Sequence, residues 1–193
     1  MWSMFLPVQH IASFQSGIYV NTSTSRGKTV YYLQVRHWNK QRNWAHPVEP
    51  ELCKEQKFNR NYLETGDILL ATKGADFFAA IYDGYYSPAI ASSVFTVLRI
   101  KDTNIVLPAY LQWYLNHPAT TIQLTAASRG TSMPMITRDV IEQLELPIPS
   151  LEKQQMILLT QSLQQKSMQL RSRINQLNET IFQYNILQSA NRQ

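Results

Sequence analysis

The sequence LELPIPSLEKQQM, at positions 144–156, separates two parts of the chain that differ in composition. All 6 glycines and all 9 prolines of the 193 residues precede position 150, and none follows it. Glycine and proline interrupt regular elements, so the first part is expected to be compact and rich in turns. The second part is expected to be one uninterrupted helix, which Ser150 can cap although Lys153 stands where a capping box would have Glu. We therefore predict an α+β fold, in which a compact mixed α/β domain over positions 1–149 precedes a long helix over positions 150–193.

The predicted helix carries an apolar heptad pattern that is typical of a coiled coil. The residues of this stripe are Leu163, Leu170, Ile174, Leu177, Ile181 and Tyr184. The pattern is partial, because Thr160 and Ser167 occupy the other seam positions in the first half of the helix. A helix over positions 151–190 would be roughly 60 Å long, so a single stripe along it is too long to be buried on the preceding domain. We predict that the stripe is the interface of a homodimer, or contacts a second recognition chain.

Composition narrows the class of protein. Hydrophobic residues make up 44% of the chain and charged residues 16%, which is too apolar and too weakly charged for a disordered chain. No apolar run approaches the ~20 residues of a membrane-spanning helix, and the N-terminus has no signal-peptide pattern. The single cysteine, Cys53, can form neither an internal disulfide nor a thiolate metal site by itself. We expect a globular protein of a reducing cytosol, without a metal and without membrane contact.

The positive charge is concentrated in one segment of the sequence. Positions 21–63 contain eight basic and three acidic side chains, which accounts for the whole net charge of +5. A local excess of this kind favours an anionic partner, with nucleic acid first. The alternative is an ordinary solvated surface, because the excess is modest.

Short apolar runs between turn residues predict the elements of the first domain. Strands are predicted at positions 29–35, 67–72, 79–82, 91–100 and 144–149, and helices at 108–116 and from 137 onward. Asp83 and Gly84 predict a hairpin-type turn after the third of these strands. His117 and Pro118 are expected to end the helix that begins at Pro108.

Motifs of catalysis are nearly absent from the sequence. It lacks the glycine-rich phosphate-binding and dinucleotide-binding motifs, the nucleophile elbow and a helical pair of zinc-binding histidines. Glu55 and Lys57 form an E-x-K pattern that some metal-dependent nucleases use, but many charged loops contain it. We therefore predict a chain without catalytic residues and rank a nuclease last among its possible functions.

One polar segment, at positions 36–44, suits recognition of nucleic acid. It alternates basic side chains, amides and two tryptophans; arginine and amide side chains read base edges, and basic side chains neutralise phosphates. Trp38 and Trp44 can stack on a base or anchor the segment on the core. Further donors follow a predicted strand at Lys73 and occupy a predicted turn at positions 128–132. The candidate DNA-binding residues are Arg36, His37, Asn39, Lys40, Arg42, Asn43, Lys73, Arg129, Thr131 and Ser132.

The order of several blocks resembles the specificity (S) subunits of Type I restriction-modification enzymes. Positions 63–74 are similar to the "GDIL…G" block of that family, and positions 92–100 to its central strand. Positions 108–116 resemble its "P-x-YL…YL" helix, and positions 128–140 its "G-x-x…I" turn. Positions 144–154 resemble its "P-x-P-x-x-x-x-Q" hinge into a long helix.

The resemblance implies a function that the residues alone do not establish. It implies a non-catalytic prokaryotic, cytoplasmic subunit that recognises a double-stranded DNA sequence and directs a methyltransferase (modification) subunit to it. The S-adenosylmethionine cofactor is expected on that partner and not on this chain, and a restriction (nuclease) subunit is an optional further partner. Because the chain has room for one recognition domain and one helix, it resembles a half-length S subunit or a fragment of a full one. A half-length subunit would dimerise on a bipartite site. The helix would then serve dimerisation and contact with the methyltransferase subunit.

A second hypothesis belongs to another class of protein. A coiled-coil adaptor or regulator that binds only protein would have the same long helix, and its positive segment would have no nucleic-acid partner. Binding to random duplex DNA distinguishes the two hypotheses.

Overall fold

The computed structural model describes residues 4–20, 27–39, 42–45, 47–74, 76–128 and 134–190. The helices and strands are, in chain order, β1 (Met4–Pro7), α1 (Val8–Ile11), β2 (Ala12–Ser16), β3 (Tyr31–Leu33), β4 (Ile68–Ala71), β5 (Ala79–Ile81), β6 (Ala89–Ala91), β7 (Phe95–Ile100), α2 (Pro108–Leu115), α3 (Pro118–Ala127), α4 (Arg138–Glu142), β8 (Glu145–Ile148) and α5 (Leu151–Ala190). Strands and short helices are mixed up to β8, and one long helix follows. The predicted α+β fold class is therefore confirmed. The chain divides into two units, Met1–Gln154 and Gln155–Gln193, so that α5 begins within the first unit.

A four-stranded antiparallel sheet, in the order β2-β7-β4-β5, organises the first unit. Every residue of β4 is buried, as the continuous apolar run that begins at Ile68 predicts. Leu69 lies opposite Val97 on one neighbouring strand and Ala80 on the other. The strands predicted at 67–72 and 79–82 are thus confirmed, each within one or two residues at its ends.

A parallel pair, β3-β6, forms a separate small sheet with a different apolar cluster on each face. On one face, Leu33 and Ala91 belong to a cluster that contains Trp38 and Phe78. On the other face, Tyr32 belongs to a cluster that contains Leu52, Phe58 and Ile90. This alternation follows from the two-residue period of a strand. It places the chain near residue 38 and the chain near residue 58 on opposite faces of β3-β6.

Two sequence predictions near these strands are wrong. The strand predicted over 91–100 is split into β6 and β7 by a turn in which the amide of Phe95 donates to the carbonyl of Ser92. Gly17 packs closely against this turn, because a Cβ atom at position 17 would lie 2.0 Å from the Ser92 carbonyl oxygen. Asp83 and Gly84 do form a turn, but not a hairpin, because β5 and β6 belong to different sheets.

The N-terminal strands were not predicted from the sequence. β1 pairs with β8 and β2 pairs with β7, both antiparallel. β1 and β8 form a two-stranded sheet in which each strand is an edge strand, so Pro147 is tolerated within β8, and Pro149 follows the end of the strand.

Asp67, in the "GDIL" block, is a buried structural residue. Its side chain is 1% exposed, and it accepts hydrogen bonds from Nε and Nη2 of Arg99, both at 2.7 Å, and from the amide of Glu64 at 2.8 Å. The hydrogen bonds to Asp67 are the main reason why the pKa of Arg99 is raised, and the nearby Glu64 carboxylate adds to the effect. This block therefore ties β4 to β7 by a charged pair as well as by the sheet.

Gln154 holds the first turn of α5 within the first unit. Its amide is completely buried; Nε2 donates to the carbonyls of Ile105 (2.8 Å) and Pro149 (3.0 Å), and Oε1 accepts from the amide of Leu107 (3.0 Å). These three hydrogen bonds of the side chain are all made to backbone groups. The glutamine of the predicted hinge block thus has a structural role.

α5 is a single helix of 40 residues, Leu151–Ala190, within the predicted range of positions 150–193, of which 191–193 lie outside the described residues. The six residues of the predicted stripe are between 46% and 59% exposed in the single chain. The helix therefore presents an apolar surface that its own chain leaves largely uncovered.

Candidate nucleic-acid interface

The predicted recognition segment forms a short closed loop, here named the tryptophan loop (residues 38–44, of which 40 and 41 lie outside the described part). Trp38 and Trp44 form an antiparallel bridge at its base, and their rings stack with centroids 4.8 Å apart. The amide of Asn39 donates to the carbonyl of Asn43 at 2.9 Å, and Asn39 Oδ1 accepts from the amide of Asn43 at 3.1 Å. Arg42 has φ +66°, a turn conformation that few non-glycine residues adopt. The described residues of the loop are therefore joined across its base by these hydrogen bonds, and Asn43 is exposed there.

Both tryptophans anchor this loop on the core. Trp38 is 8% exposed and packs against Phe78 and Phe95. Trp44 is partly buried, and its Nε1 donates to Asp83 Oδ2 at 2.9 Å. Of the two interpretations that the sequence allowed, the structure supports anchoring rather than base stacking for these rings.

Arg36 and Arg42 form ion pairs with residues that are distant in sequence. Arg36 Nη2 lies 2.6 Å from Glu51 Oε1, and the arginine side chain is 61% exposed. Arg42 Nη2 lies 3.2 Å from Asp76 Oδ1, and its guanidinium lies 4.2 Å from the centroid of the Phe78 ring. Contact with DNA would require each arginine to exchange or share its carboxylate partner. Their charge is thus partly compensated in the free chain.

His37 is poorly placed to read DNA. Its residue is 5% exposed, and its Nδ1 accepts a hydrogen bond from the amide of Gln34 at 3.2 Å. This bond closes the 3₁₀ turn at residues 35–37. The burial argues for a structural role, and we remove His37 from the candidate readers.

Lys73 lies beside the chain that leaves the predicted 128–132 turn. Lys73 pairs with Met135 in an antiparallel bridge, and the amide of Gly74 donates to the carbonyl of Pro134 at 3.0 Å. Lys73 is half-buried and is three residues from Asp76, the partner of Arg42. Lys73 is therefore held next to the chain at residues 134–135. Four other candidates, Lys40, Arg129, Thr131 and Ser132, lie outside the described residues.

The described residues of the positive segment at positions 21–63 are divided between the two faces of β3-β6. The tryptophan loop packs on one face of β3-β6, whereas the chain around Phe58 packs on the other. That second face bears exposed Lys54 and Arg60, for which the described residues provide no ion pair within 4.0 Å. A cleft of about 410 Å³ lies nearby, and its lining residues are Ile18, Tyr19, Val20, Lys57, Phe58 and Asn61. Sequence reasoning missed this division because it counted charge along the chain rather than over the surface.

The E-x-K pattern forms a surface ion pair. Glu55 Oε2 lies 2.7 Å from Lys57 Nζ, and both side chains are about half exposed or more. Within the described part of the chain, no group of three or more His, Cys, Asp or Glu side chains is arranged to hold a metal ion. The described residues thus give no support to the nuclease hypothesis.

Near its C-terminal end, α5 exposes apolar residues beyond the predicted stripe. Phe182 and Ile186, four residues apart, lie outside the heptad positions and are 58% and 49% exposed. At about 100° per residue they lie together on one side of the helix, but about 100–160° around it from Ile181 and Tyr184 of the stripe. This second apolar pair could have been found by looking for apolar residues four positions apart as well as for the seven-residue repeat. Over the residues that the structure describes, no helix is long and apolar enough to cross a membrane.

The fold and the long helix match a known family. The family model of the Type I restriction modification DNA specificity domain matches residues 53–179, and the chain belongs to this family. The family is a non-catalytic recognition component of its enzymes, and the resemblance predicted from the sequence is thereby confirmed. No protein of the curated set matches the chain significantly.

Three solved structures show the same fold at low sequence identity. A Type I restriction-modification S subunit from M. genitalium has 13% identity and a TM-score of 0.57, over 83% of this chain and 38% of that one. The HsdS subunit from Thermoanaerobacter tengcongensis has 14% identity and a TM-score of 0.60, over 87% and 38% of the two chains. A chain from a structural study of complex assembly and conformational transition of the type I R-M system has 16% identity and a TM-score of 0.58, over 86% of this chain and 39% of that one. This chain therefore spans about two fifths of the length of the structures that it matches.

Proposed function

We propose that this chain recognises a specific double-stranded DNA sequence and directs a Type I methyltransferase subunit to it. The observation that carries the proposal is the match of residues 53–179 to a DNA specificity domain, supported by a shared fold with S subunits. The predicted recognition segment at positions 36–44 adds an exposed amide, Asn43, and two arginines, Arg36 and Arg42. Arginine, lysine and amide side chains are the groups that read base edges and contact phosphates.

The chemistry of methyl transfer is assigned to the partner. The candidate interface contains donors and acceptors for recognition, and we propose that S-adenosylmethionine binds the methyltransferase subunit. α5 is the element proposed to contact that subunit as well as a second recognition chain. A restriction subunit would join the same assembly in a system that includes one.

We further propose that two copies act together on a bipartite site. The exposed stripe of α5 includes Ile174 and Leu177, which are 55% and 46% exposed in the single chain. Burial of a leucine or isoleucine side chain contributes about 1.5–3 kcal/mol, and a symmetric pair buries each residue twice. A dimer would carry two recognition domains, which would read two identical half-sites separated by a gap that the helices set. The chain would in this way supply the two recognition domains that a longer S subunit has.

The second candidate function is a coiled-coil adaptor that binds protein without DNA specificity. It is favoured by one observation, the exposed apolar surface of α5, which would serve equally well for a protein partner. The ion pairs of Arg36 and Arg42 reduce the free positive charge, as expected if the segment were an ordinary surface. The two hypotheses differ in what they predict for duplex DNA.

Enrichment of a random duplex DNA library tests the proposal directly. The full chain, alone and together with a methyltransferase subunit, is incubated with the library, and the bound DNA is sequenced over several rounds. We expect a bipartite motif with two identical half-sites in opposite orientation. Retention of DNA without any enriched motif, or no retention in either format, would favour the adaptor. An enriched motif with a single half-site would support recognition but contradict the dimer.

A further inference from the structure

The turn after β5 packs directly against the tryptophan loop. We name residues Asp83–Tyr86 the tyrosine loop. Asp83 links the two loops, because its Oδ2 accepts from Trp44 Nε1 at 2.9 Å and its Oδ1 accepts from the amide of Tyr85 at 3.0 Å. The Tyr86 ring lies edge-on to Trp44 on one side and to Tyr85 on the other, with both centroid distances 4.9 Å. The two loops thus form one continuous surface.

The backbone of the tyrosine loop is constrained. Gly84 has φ +81°, and a Cβ atom there would lie 2.4 Å from Thr65 Oγ1. The carbonyl of Tyr86 accepts a hydrogen bond of 2.6 Å from the hydroxyl of Tyr82, which is buried. These contacts hold the loop from both ends, so that Tyr85 between them has a defined position.

Tyr85 is nevertheless highly exposed. It is 78% exposed, whereas its neighbours Tyr82 and Tyr86 are buried and half-buried. A rigid aromatic side chain provides a large contact area and loses little conformational entropy on binding. Such a side chain next to a loop of base-reading residues is a recognition group that the charge pattern does not show.

We propose that Tyr85 is a further specificity-determining residue, which contacts bases in the groove that the tryptophan loop reads. This inference rests on the proposed DNA-recognition function. The carboxylate of Asp83 is exposed beside Tyr85 and would repel a phosphate placed over it. Base edges and the thymine methyl group carry no such charge. Tyr85 therefore faces bases, and Asp83 acts as a positioning residue that fixes its backbone.

Library enrichment with the full-length variant Tyr85→Ala tests this assignment. If Tyr85 reads a base, its loss should relax one position or two adjacent positions of the enriched motif. Affinity for the wild-type motif should fall roughly ten- to hundredfold, as for loss of a base contact. Affinity for unrelated duplex DNA and the slope of the salt dependence should stay unchanged, because no phosphate contact is removed. Tyr85→Phe keeps the ring and should bind within a few-fold of the wild type.

Tyr19→Ala provides a matched control. Tyr19 is 82% exposed and lines the cleft with Phe58, whose cluster is on the other face of β3-β6. Its substitution removes an equally exposed tyrosine and should leave the motif unchanged. Thermal unfolding of both variants should match that of the wild type, because each side chain makes few contacts.

The outcomes separate this inference from the proposed function. If the wild type enriches a motif that Tyr85→Ala preserves at full affinity, the assignment of Tyr85 is wrong and the proposed function stands. Uniform weakening on all sequences with a shallower salt slope would also overturn it, since Tyr85 would then contact phosphate. If the wild type enriches no motif in any format, the proposed function fails, and the role of Tyr85 fails with it.

Discussion

Replacing Gln154 by Leu tests whether the hinge glutamine stabilises the fold through its three backbone hydrogen bonds. Leucine has a similar volume and leaves no large cavity, but it can neither donate to the carbonyls of Ile105 and Pro149 nor accept from the amide of Leu107. The Gln154 residue is completely buried, so the loss cannot be replaced by water without local rearrangement. The substitution therefore isolates the hydrogen bonds from the packing.

The expected magnitude follows from the number and burial of these groups. An unsatisfied buried donor or acceptor costs about 1–3 kcal/mol. Ile105 is 47% exposed, so water can reach its carbonyl region more easily than the amide of Leu107, which is half-buried. We expect a loss of about 2–4 kcal/mol in the free energy of unfolding of the first unit. For a unit of this size, the midpoint of thermal unfolding should fall by roughly 5–15 °C.

Urea unfolding followed by tryptophan fluorescence measures this loss, since Trp38 and Trp113 both lie within the first unit. Gln155→Leu is the matched control, because it makes the same change one residue later, at an exposed position of the same helix. The control should change stability by less than about 0.5 kcal/mol. Equal stability of the two variants would refute the argument that Gln154 anchors the start of α5.

Three further predictions follow from the remaining structure. Asp67→Ala should destabilise the first unit by about 3–5 kcal/mol in chemical unfolding, since it leaves the partly buried Arg99 without its bidentate partner. Glu64→Ala removes an exposed partner of the same arginine and should cost less than about 1 kcal/mol. Equal losses of stability in the two variants would contradict this prediction. The double variant Ile174→Asp and Leu177→Asp should be folded and, by light scattering, monomeric. It should bind the enriched motif only weakly, because one half-site and its avidity are lost. A wild-type chain that is monomeric at high concentration would contradict the homodimer. Arg36→Ala, Lys40→Ala and Arg42→Ala should affect DNA binding unequally, because loss of a base reader costs about 1–3 kcal/mol and relaxes one motif position. If none of the three substitutions changes binding, the segment at positions 36–44 is not the reading element.

The architecture could be predicted from the sequence because local signals and tertiary structure agree there. The long helix follows from the absence of glycine and proline after Pro149 and from a continuous helical pattern, and it is observed over Leu151–Ala190. The strand β4 is an apolar run between two turns, and it is fully buried as such a run predicts. In contrast, β1 and β2 depend on partners more than 80 residues away in sequence, β8 and β7, so no local pattern defines them.

The turn at Ser92–Val94 and the separation of β5 from β6 have a similar cause. Positions 91–100 have the composition of one strand, but close packing of Gly17 against the Ser92 carbonyl breaks it into two. Asp83 and Gly84 form the turn that their types favour, yet the strands on either side pair with β4 and β3. Turn chemistry thus predicts that the chain reverses but not which strands become neighbours.

The candidate interface was the least predictable feature, because its charge is determined by contacts between distant parts of the chain. Arg36 pairs with Glu51, 15 residues away, and Arg42 pairs with Asp76, 34 residues away. Summing charge over positions 21–63 includes Glu51 but excludes Asp76, and it combines residues from both faces of β3-β6. The same packing brings in Tyr85, which no charge or motif count selects.

This distribution of charge also sets an expectation for the salt dependence of DNA binding. Contact with four to six phosphates would give a log–log slope of roughly −4 to −5 per domain. Arg36 and Arg42 each begin in an ion pair, so their transfer to phosphate releases a carboxylate as well as DNA counterions, and the carboxylate recruits a cation in return. Pairs that dissociate on binding therefore contribute less than a lysine such as Lys73, for which the described residues provide no ion pair within 4.0 Å, and the slope should lie near the shallow end of that range. Glu51→Gln and Asp76→Asn free the two arginines without adding a positive residue. If these arginines contact phosphate, both substitutions should raise the affinity for DNA and make the salt dependence steeper. A slope near zero, unchanged by either substitution, would mean that this face of the protein does not bind DNA.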